Sequence, residues 1–284
     1  MNPRKSIPVL LLAVAVSGCG GDTSDSARAE PGGALERAPF IMVKMDPASS
    51  NTLDALLAER AAHPFDDPGQ AIDRMSRALL GTPYRDDTLI GSPTVPEQLV
   101  VDLQGVDCFT FADYVEALRR SVSRRAFLRN LIDTRYVDGE VGYLQRKHFF
   151  TDWAYRPLRN VDDVTARLSA RAVTVEKTLN RKSDGSPYVP GLPPTNRAIT
   201  FIPAGFVDDY VVSQLRTGDF IGIYAAADGL DVTHVGIFVM TDRGPMLRNA
   251  SSLDKNRKVV DSPLIEYVAR TPGIVVLRPK PMSG

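Results

Sequence analysis

Cys108 is the residue of this chain whose type and position best suit nucleophilic chemistry. Beyond it, Phe111, Val115, Leu118 and Val122 recur at helical spacing, so the thiol lies at the start of a predicted helix. Helix N-terminal N–H groups stabilise a thiolate, and beside an imidazolium such a thiol has a pKa of about 3.5–7.5 instead of roughly 8.5. We therefore expect a Cys108 thiolate that attacks an amide, with Asp107 capping the helix. A small buried apolar cysteine is the alternative.

The base that accepts the thiol proton must be one of three histidines, His63, His148 or His234. His234 is the best placed, because it lies in the strand-like segment Val232–Thr241, where alternation puts it on one face with Gly236. The small Gly236 is expected to leave room for a substrate or for the cysteine helix. A hydrogen-bonded structural histidine is the alternative reading of His234.

Asn249 is the third polar group of the predicted site. A hairpin turn at Asp242–Pro245 brings the next strand back beside His234, and Asn249 lies on that strand. A neutral amide there would hold the imidazole in one tautomer and one direction. Asn249 could instead be a residue of a turn at the strand end.

The elements that position these groups are helices in the first half of the chain and strands in the last third. Helical patterns are predicted for Thr52–Arg60, for a segment opened by Asp67 and Pro68 and closed by Gly81, from Cys108 onward, and for Ser262–Arg270. Strands are predicted at Gln98–Leu103, Asp219–Ala225, Val232–Thr241, Met246–Ala250 and Ile274–Leu277. Helices followed by an antiparallel sheet predict an α+β fold. Residues 139–194 are expected to be loop-rich, with an exposed insertion over 180–194.

The N-terminal residues are typical of a secretory signal and not of the fold. Arg4 and Lys5 precede an apolar run, Ile7–Val16, which is about half the roughly 20 residues that a membrane-spanning helix needs. Small residues directly before Cys19 resemble the lipobox of bacterial lipoproteins. We expect residues 1–19 to be the signal peptide, Cys19 to carry the lipid, residues 20–39 to be a flexible tether and residues 40–284 to form one domain. An ordinary signal peptide is the alternative.

The balance of charge excludes some partners. Lys plus Arg and Asp plus Glu both number 34, so no net field attracts nucleic acid. The three histidines have no HExxH spacing and no GxxxxGK loop occurs, so we expect neither a metal nor another cofactor.

A family resemblance rests on four motifs in order, which are Leu80-Gly81-Thr82-Pro83-Tyr84, Val106-Asp107-Cys108, His234-Val235-Gly236-Ile237 and Asn249-Ala250-Ser251. They resemble the motifs of NlpC-type cell-wall cysteine peptidases, which have a papain-like fold. His148–Trp153, Phe201–Pro203 and Gly229–His234 are similar to a narrower group, the N-acetylmuramoyl-L-alanine amidase-like family.

This resemblance implies Cys108 as nucleophile, His234 as base, Asn249 as third member and Tyr84 as a substrate-side residue. His148, Asp152 and Trp153 either line the pocket or form a structural cluster in which the indole donates to the carboxylate. The chain departs from the pattern at Phe109-Thr110, where the endopeptidases have Ser-Gly, and at Asn249, where many relatives have His.

The expected function is hydrolysis of the amide between N-acetylmuramic acid and L-Ala, in intact peptidoglycan or in muropeptides. Cleavage between D-Glu and the diamino acid of the stem peptide is the runner-up. The order Cys, His, Asn argues against an acyltransferase, and an inert peptidoglycan-binding lipoprotein is the alternative outside enzymology. We expect a monomer in the periplasm, anchored by its lipid to the envelope, with the outer membrane favoured.

Overall fold

The computed structural model of the protein describes residues 41–65 and 67–281. The predicted signal peptide, the lipid on Cys19 and the tether lie outside these residues and stay predictions. Within the described ranges, no helix combines the length and the apolar character needed to cross a membrane.

The first half of the described chain is mainly helical. Its main elements, in chain order, are β1 (Val43–Met45), α1 (Pro47–Ala62), α2 (Pro68–Ala78), β2 (Leu99–Val101), α3 (Cys108–Arg119) and α4 (Arg124–Arg135). Each helix begins where a side-chain oxygen caps free N–H groups, and the caps are Asp46, Asp67, Asp107 and Ser123. The predicted start of a helix at Cys108 is therefore confirmed, whereas α4 and β1 had not been predicted.

The second half is mainly sheet. Its elements, in chain order, are α5 (Asp152–Tyr155), β3 (Val161–Asp163), α6 (Thr165–Leu168), β4 (Val173–Leu179), β5 (Thr195–Pro203), α7 (Asp209–Gln214), β6 (Phe220–Tyr224), β7 (Val232–Thr241), β8 (Gly244–Ser251), β9 (Lys258–Pro263), α8 (Leu264–Val268) and β10 (Gly273–Pro279). The main sheet has the strand order β4-β5-β10-β6-β7-β8-β9, and β3 pairs with β10. All of these pairs are antiparallel, so the predicted α+β class is confirmed.

Apolar cores lie on both faces of this sheet. Val235, Ile237 and Val239 of β7 belong to the core that includes α3, whereas Phe238 belongs to the second core with residues of α7 and α8. This alternation along β7 is the one that the sequence predicted. α3 thus packs against β7 and carries Cys108 to the sheet.

The stretch 139–194 contains more regular structure than its sequence suggested. β4 and β5 pair from Val173–Phe201 to Leu179–Thr195 and form a long arm. The expectation of a loop-rich segment was therefore wrong at β4, a mostly polar strand that pairs fully with β5. Residues 180–194 connect the two strands and are mostly exposed, as expected. The side chain of Asn180 stabilises this connection through hydrogen bonds to the backbone of Val189 and Leu192.

Candidate active site

The candidate site lies where β7 and β8 stop pairing with each other. Their pairing runs from Thr241–Gly244 to Ile237–Arg248, and beyond it β7 continues to Val232 while β8 continues to Ser251 beside β9. The N-terminus of α3 lies at this point, with the backbone N–H of Val235 within hydrogen-bonding reach of the Cys108 thiol. The end of the strand pairing therefore makes room for the thiol at the sheet.

Cys108 is the first residue of α3 and is partly exposed. The Asp107 carboxylate accepts from the N–H groups of Phe109 and Thr110, and the Thr110 hydroxyl accepts from the Asp107 N–H, which completes a capping box. Asp107 is thus the predicted cap.

The thiol itself departs from the expectation of a lowered pKa. Burial, and next the Asp107 carboxylate, raise the pKa of Cys108 to about 11, although the N–H groups of Val235 and the helix start act in the opposite direction. The helix terminus does not compensate for the loss of water around the sulfur. The resting side chain is therefore a neutral thiol at neutral pH.

His234 and Asn249 form the hydrogen bond that the sequence predicted. Imidazole Nε2 lies 3.0 Å from Asn249 Oδ1. The amide is oriented by its own Nδ2, which donates to the Leu247 carbonyl at 3.0 Å and to the Ser262 hydroxyl at 3.3 Å. Because Oδ1 only accepts, Nε2 carries the proton and Nδ1 keeps its lone pair.

This tautomer suits His234 to act as a base. Burial lowers its pKa, with the Asn249 bond and the Asp107 carboxylate acting in the opposite direction, so the imidazole is neutral at neutral pH. No hydrogen bond joins it to the thiol within the described ranges, but Val235, the next residue, contacts the sulfur. The arrangement is a neutral thiol near a neutral base, and catalytic contacts of this kind commonly tighten only when substrate binds.

Comparison with known proteins places this arrangement in a family. The N-acetylmuramoyl-L-alanine amidase-like family model matches residues 74–274. The chain belongs to this family. The matched segment includes Tyr84, Cys108, His234 and Asn249.

Solved structures support the placement of this amidase-like chain. An N-acetylmuramoyl-L-alanine amidase from Bacteroides uniformis is 29% identical with a TM-score of 0.63, over 75% of this chain and 99% of that one. A Legionella pneumophila protein is 21% identical with a TM-score of 0.69, over 82% of this chain and 95% of that one, and shares the fold. No curated protein matches the sequence.

Two tyrosines of the amidase-like chain lie near the thiol. Burial and then Cys108 raise the pKa of Tyr84, whose ring lies 4.8 Å from the Arg257 guanidinium carbon. Tyr267 of α8 stacks on the His234 imidazole at 6.1 Å between ring centroids and 26° between planes. Tyr84 was predicted to lie here, whereas Tyr267 lies in the segment Ser262–Arg270, which was predicted only as a helix. Its helical spacing gave no sign that α8 covers the histidine.

Within the described residues, the contacts of His148 are with Tyr143 and do not include the thiol. Its Nε2 lies 2.7 Å from the Tyr143 carbonyl, and its ring meets the Tyr143 ring edge-on at 5.5 Å. His63, at the C-terminal end of α1, interacts with Glu59 and Arg74. Of the three histidines, His234 is the one whose neighbour in the strand, Val235, comes within reach of the thiol.

Asp152 and Trp153 lie behind the site. Trp153 is 0% exposed, and its ring centroid lies 5.9 Å from that of Phe109 and 5.0 Å from that of Phe220. Its indole therefore supports the start of α3. Asp152 pairs with Arg197 at 2.8 Å. Within the described residues the indole Nε1 has no hydrogen-bond partner, so the predicted bond from Trp153 to Asp152 was wrong.

Gly236 has a different role from the one expected. A Cβ added there would lie 2.6 Å from Leu247 Cδ1 and 3.0 Å from the Arg248 carbonyl oxygen. The space beside the glycine is thus filled by β8. Gly236 allows the two strands to approach closely just before they separate.

Metal ligands are not grouped in the part of the amidase-like chain that the structure describes. There, no cluster of three or more His, Cys, Asp or Glu residues is placed to hold an ion. The chemistry considered below uses the protein's own side chains.

Proposed function

We propose that this protein hydrolyses the amide between N-acetylmuramic acid and L-Ala in peptidoglycan, with Cys108 as nucleophile. The observation that carries the proposal is the Cys108 thiol at the start of α3, within reach of the Val235 N–H, next in the strand to His234, whose tautomer Asn249 fixes. Membership of the amidase-like family supports the choice of bond. The naming of the B. uniformis protein as an N-acetylmuramoyl-L-alanine amidase supports it further.

In the proposed first step, His234 Nδ1 takes the thiol proton as Sγ attacks the carbonyl carbon of the amide. Because thiol and imidazole both rest neutral, deprotonation accompanies attack. The tetrahedral intermediate collapses when the imidazolium gives its proton to the amide nitrogen. This releases the amine of L-Ala and leaves the sugar's carboxyl group as a thioester on Cys108.

In the second step, His234 takes a proton from water, whose oxygen attacks the thioester. The thiolate leaves, regains its proton from the imidazolium, and the sugar departs with a free carboxyl group. The Asn249 amide holds the imidazole through both proton transfers.

The backbone N–H of Cys108 is a donor for the oxyanion of both intermediates. The capping box occupies the N–H groups of Phe109 and Thr110, whereas the Cys108 N–H has no acceptor among the residues described. A free N–H at a helix N-terminus favours negative charge. Tyr84 is proposed to contact the substrate on the same side, since its phenol interacts with the thiol.

The proposal extends to the fold type, location and assembly. A cysteine helix followed by an antiparallel sheet that carries the histidine suits the papain-like, NlpC-type arrangement implied by the motifs. The lipobox-like Val16-Ser17-Gly18-Cys19 supports anchoring through lipid on Cys19, and we propose that the protein acts as a monomer on the periplasmic side of the outer membrane. There, it would meet peptidoglycan or muropeptides.

The test is mass spectrometry of purified muropeptides incubated with the full chain. Cys108→Ala is the parallel control, with circular dichroism to show that it is folded. Release of free sugar and of peptide beginning with L-Ala, absent with Cys108→Ala, is the expected result. Peptide shortened on the sugar would replace the proposal with the endopeptidase reaction, and no product from folded protein would favour the inert binding protein.

A further inference from the structure

A basic cavity lies at the opposite end of α3 from Cys108. It has a volume of about 410 Å³, and its lining includes Arg60, Arg119, Arg120, Arg159, Asn160 and Lys280. No carboxylate lines it within the described residues. The 1.5 Å rise per residue of α3 separates it from the thiol by about 17 Å. This cavity is therefore distinct from the candidate active site.

Buried polar atoms at this cavity lack partners. Asn160 is 5% exposed, yet neither its Nδ2 nor its Oδ1 has a hydrogen bond within the described residues. Arg119 is 1% exposed, and its Nε and Nη2 bind Glu116 while its Nη1 is unpaired there. A buried polar group without a partner destabilises the folded state. The two donors among them, Asn160 Nδ2 and Arg119 Nη1, would gain from a ligand that brings both acceptors and a net negative charge.

The cations of the cavity are only partly neutralised. Glu116 pairs with Arg119, and Lys280 lies 3.7 Å from an exposed Asp162. Arg120 and Arg159 are exposed and form no ion pair within the ranges described. The cavity thus has an excess of positive charge.

The C-terminus of α3 explains why some of these cations lie at the cavity. Helix C-terminal carbonyls attract cations, and Arg60 Nε donates to the Arg119 carbonyl at 3.0 Å. Burial and then the Arg119 guanidinium lower the pKa of Arg60, so the two cations repel each other. Arg159 and Lys280 come from other segments and donate to no α3 carbonyl within the described residues. Their presence needs a further cause.

We propose that this cavity binds a phosphate-type oxyanion, either free or as the headgroup of an anionic phospholipid. Guanidinium groups pair with phosphate oxygens through two parallel hydrogen bonds, and a tetrahedral anion offers acceptors to several of them at once. The Asn160 amide supplies a further neutral donor. A multiply charged anion matches the excess of cations better than a carboxylate with one charge.

The test is isothermal titration calorimetry of the full chain with two probes. Inorganic phosphate represents the free anion, and glycerophosphoglycerol represents the headgroup of phosphatidylglycerol. The variant R120E/R159E reverses two exposed charges of the cavity. R125E/R243E is the matched control, because both arginines are exposed and neither lines the cavity. Its two substitutions change the net charge by the same amount as those of R120E/R159E.

The expected result is saturable binding of at least one probe to the wild type, about tenfold weaker in R120E/R159E and unchanged in R125E/R243E. The tighter probe identifies the source of the phosphate. Absence of saturable binding of both probes, or equal weakening in both variants, would overturn the proposal.

A second measurement uses the buried amide. Asn160→Asp keeps the shape of the side chain but brings a negative charge to the cavity. The bound probe is expected to raise the melting temperature of the wild type and of R125E/R243E, and to leave that of Asn160→Asp unchanged. An equal rise in wild type and Asn160→Asp would place the anion elsewhere and overturn the assignment.

Discussion

Two polar clusters adjoin β7, and they differ in how completely their atoms are paired. The candidate catalytic trio is Cys108, His234 and Asn249. The second cluster, here called the support network, consists of Thr151, Asp152, Arg197 and Asp231. In the trio, the thiol donates to no neighbour and imidazole Nδ1 accepts from none within the described residues, whereas the network joins its members by short hydrogen bonds and an ion pair.

The support network holds the segment that precedes His234. Thr151 donates to the Asp231 carboxylate through its N–H at 2.7 Å and its hydroxyl at 2.8 Å. Arg197 donates to the Thr151 hydroxyl at 2.7 Å and pairs with Asp152. Asp231 lies three residues before His234, so the network fixes β7 against α5 and β5. At β7, the atoms that are proposed to react are therefore left without partners, while the paired atoms of the support network hold the strand that carries them.

The largest expected effect is on catalysis, from His234→Ala. Loss of the base should lower kcat/KM on muropeptides by about 10³- to 10⁴-fold, because proton transfer in both steps passes through the imidazole. His63→Ala, at the exposed histidine of α1, is the control and should stay within about twofold. If His234→Ala kept a tenth of the activity, the trio would not be the site of proton transfer.

The second prediction concerns the resting thiol. A pKa of about 11 means that iodoacetamide labelling of Cys108 should rise about tenfold per pH unit from pH 7 to 10, or about 10³-fold overall. Mass spectrometry of the peptide that contains Cys108 measures the rate, and Cys108→Ala identifies labelling elsewhere. A plateau between pH 5 and 8 would instead indicate a thiolate–imidazolium pair and contradict the neutral resting state.

The third prediction tests the support network through stability. Arg197→Met leaves the Asp152 carboxylate buried without its main partner and should lower the free energy of unfolding by about 3–5 kcal/mol. Denaturant titration measures it. Arg156→Met is the matched control, because Arg156 lies 3.9 Å from the same carboxylate with its side chain 40% exposed, and should cost less than about 1 kcal/mol. Equal losses would show that Asp152 needs no specific partner.

Local sequence patterns predicted one part of the candidate site, and contacts between distant residues determine the rest. The start of α3 at Cys108 and the bounds of β7 follow from local caps and alternation, so both were predicted correctly. The raised pKa of the thiol depends on burial against a distant strand. Arg197 lies 45 residues after Asp152 in sequence, so no local pattern showed that it, and not the Trp153 indole, would bind that carboxylate.

The fold shows the same division. Strands β6, β7, β8 and β10 have strong apolar character and were predicted close to their observed bounds, whereas β9, whose last residues were predicted as the start of a helix, was not predicted. β4, in contrast, is mostly polar and partly exposed, and it is held by full pairing with β5 more than by a buried face of its own. Such a strand is defined by its partner, and single-sequence patterns do not show partners.

The last prediction separates orientation of the base from stability. Asn249→Ala removes the acceptor of the Nε2 proton, which frees the ring to rotate and to change tautomer, so kcat should fall about 10- to 100-fold while KM changes little. Asn249→His keeps an acceptor and, because many relatives have histidine here, should restore most of the loss.

Asn249 is also fully buried, so folding needs its own control. Ser262→Ala removes one bond to the Asn249 amide without touching the imidazole, and it should leave kcat unchanged. If Ser262→Ala lowered kcat as much as Asn249→Ala, packing of β8 against β9 would be the cause, and Asn249 would belong with the support network.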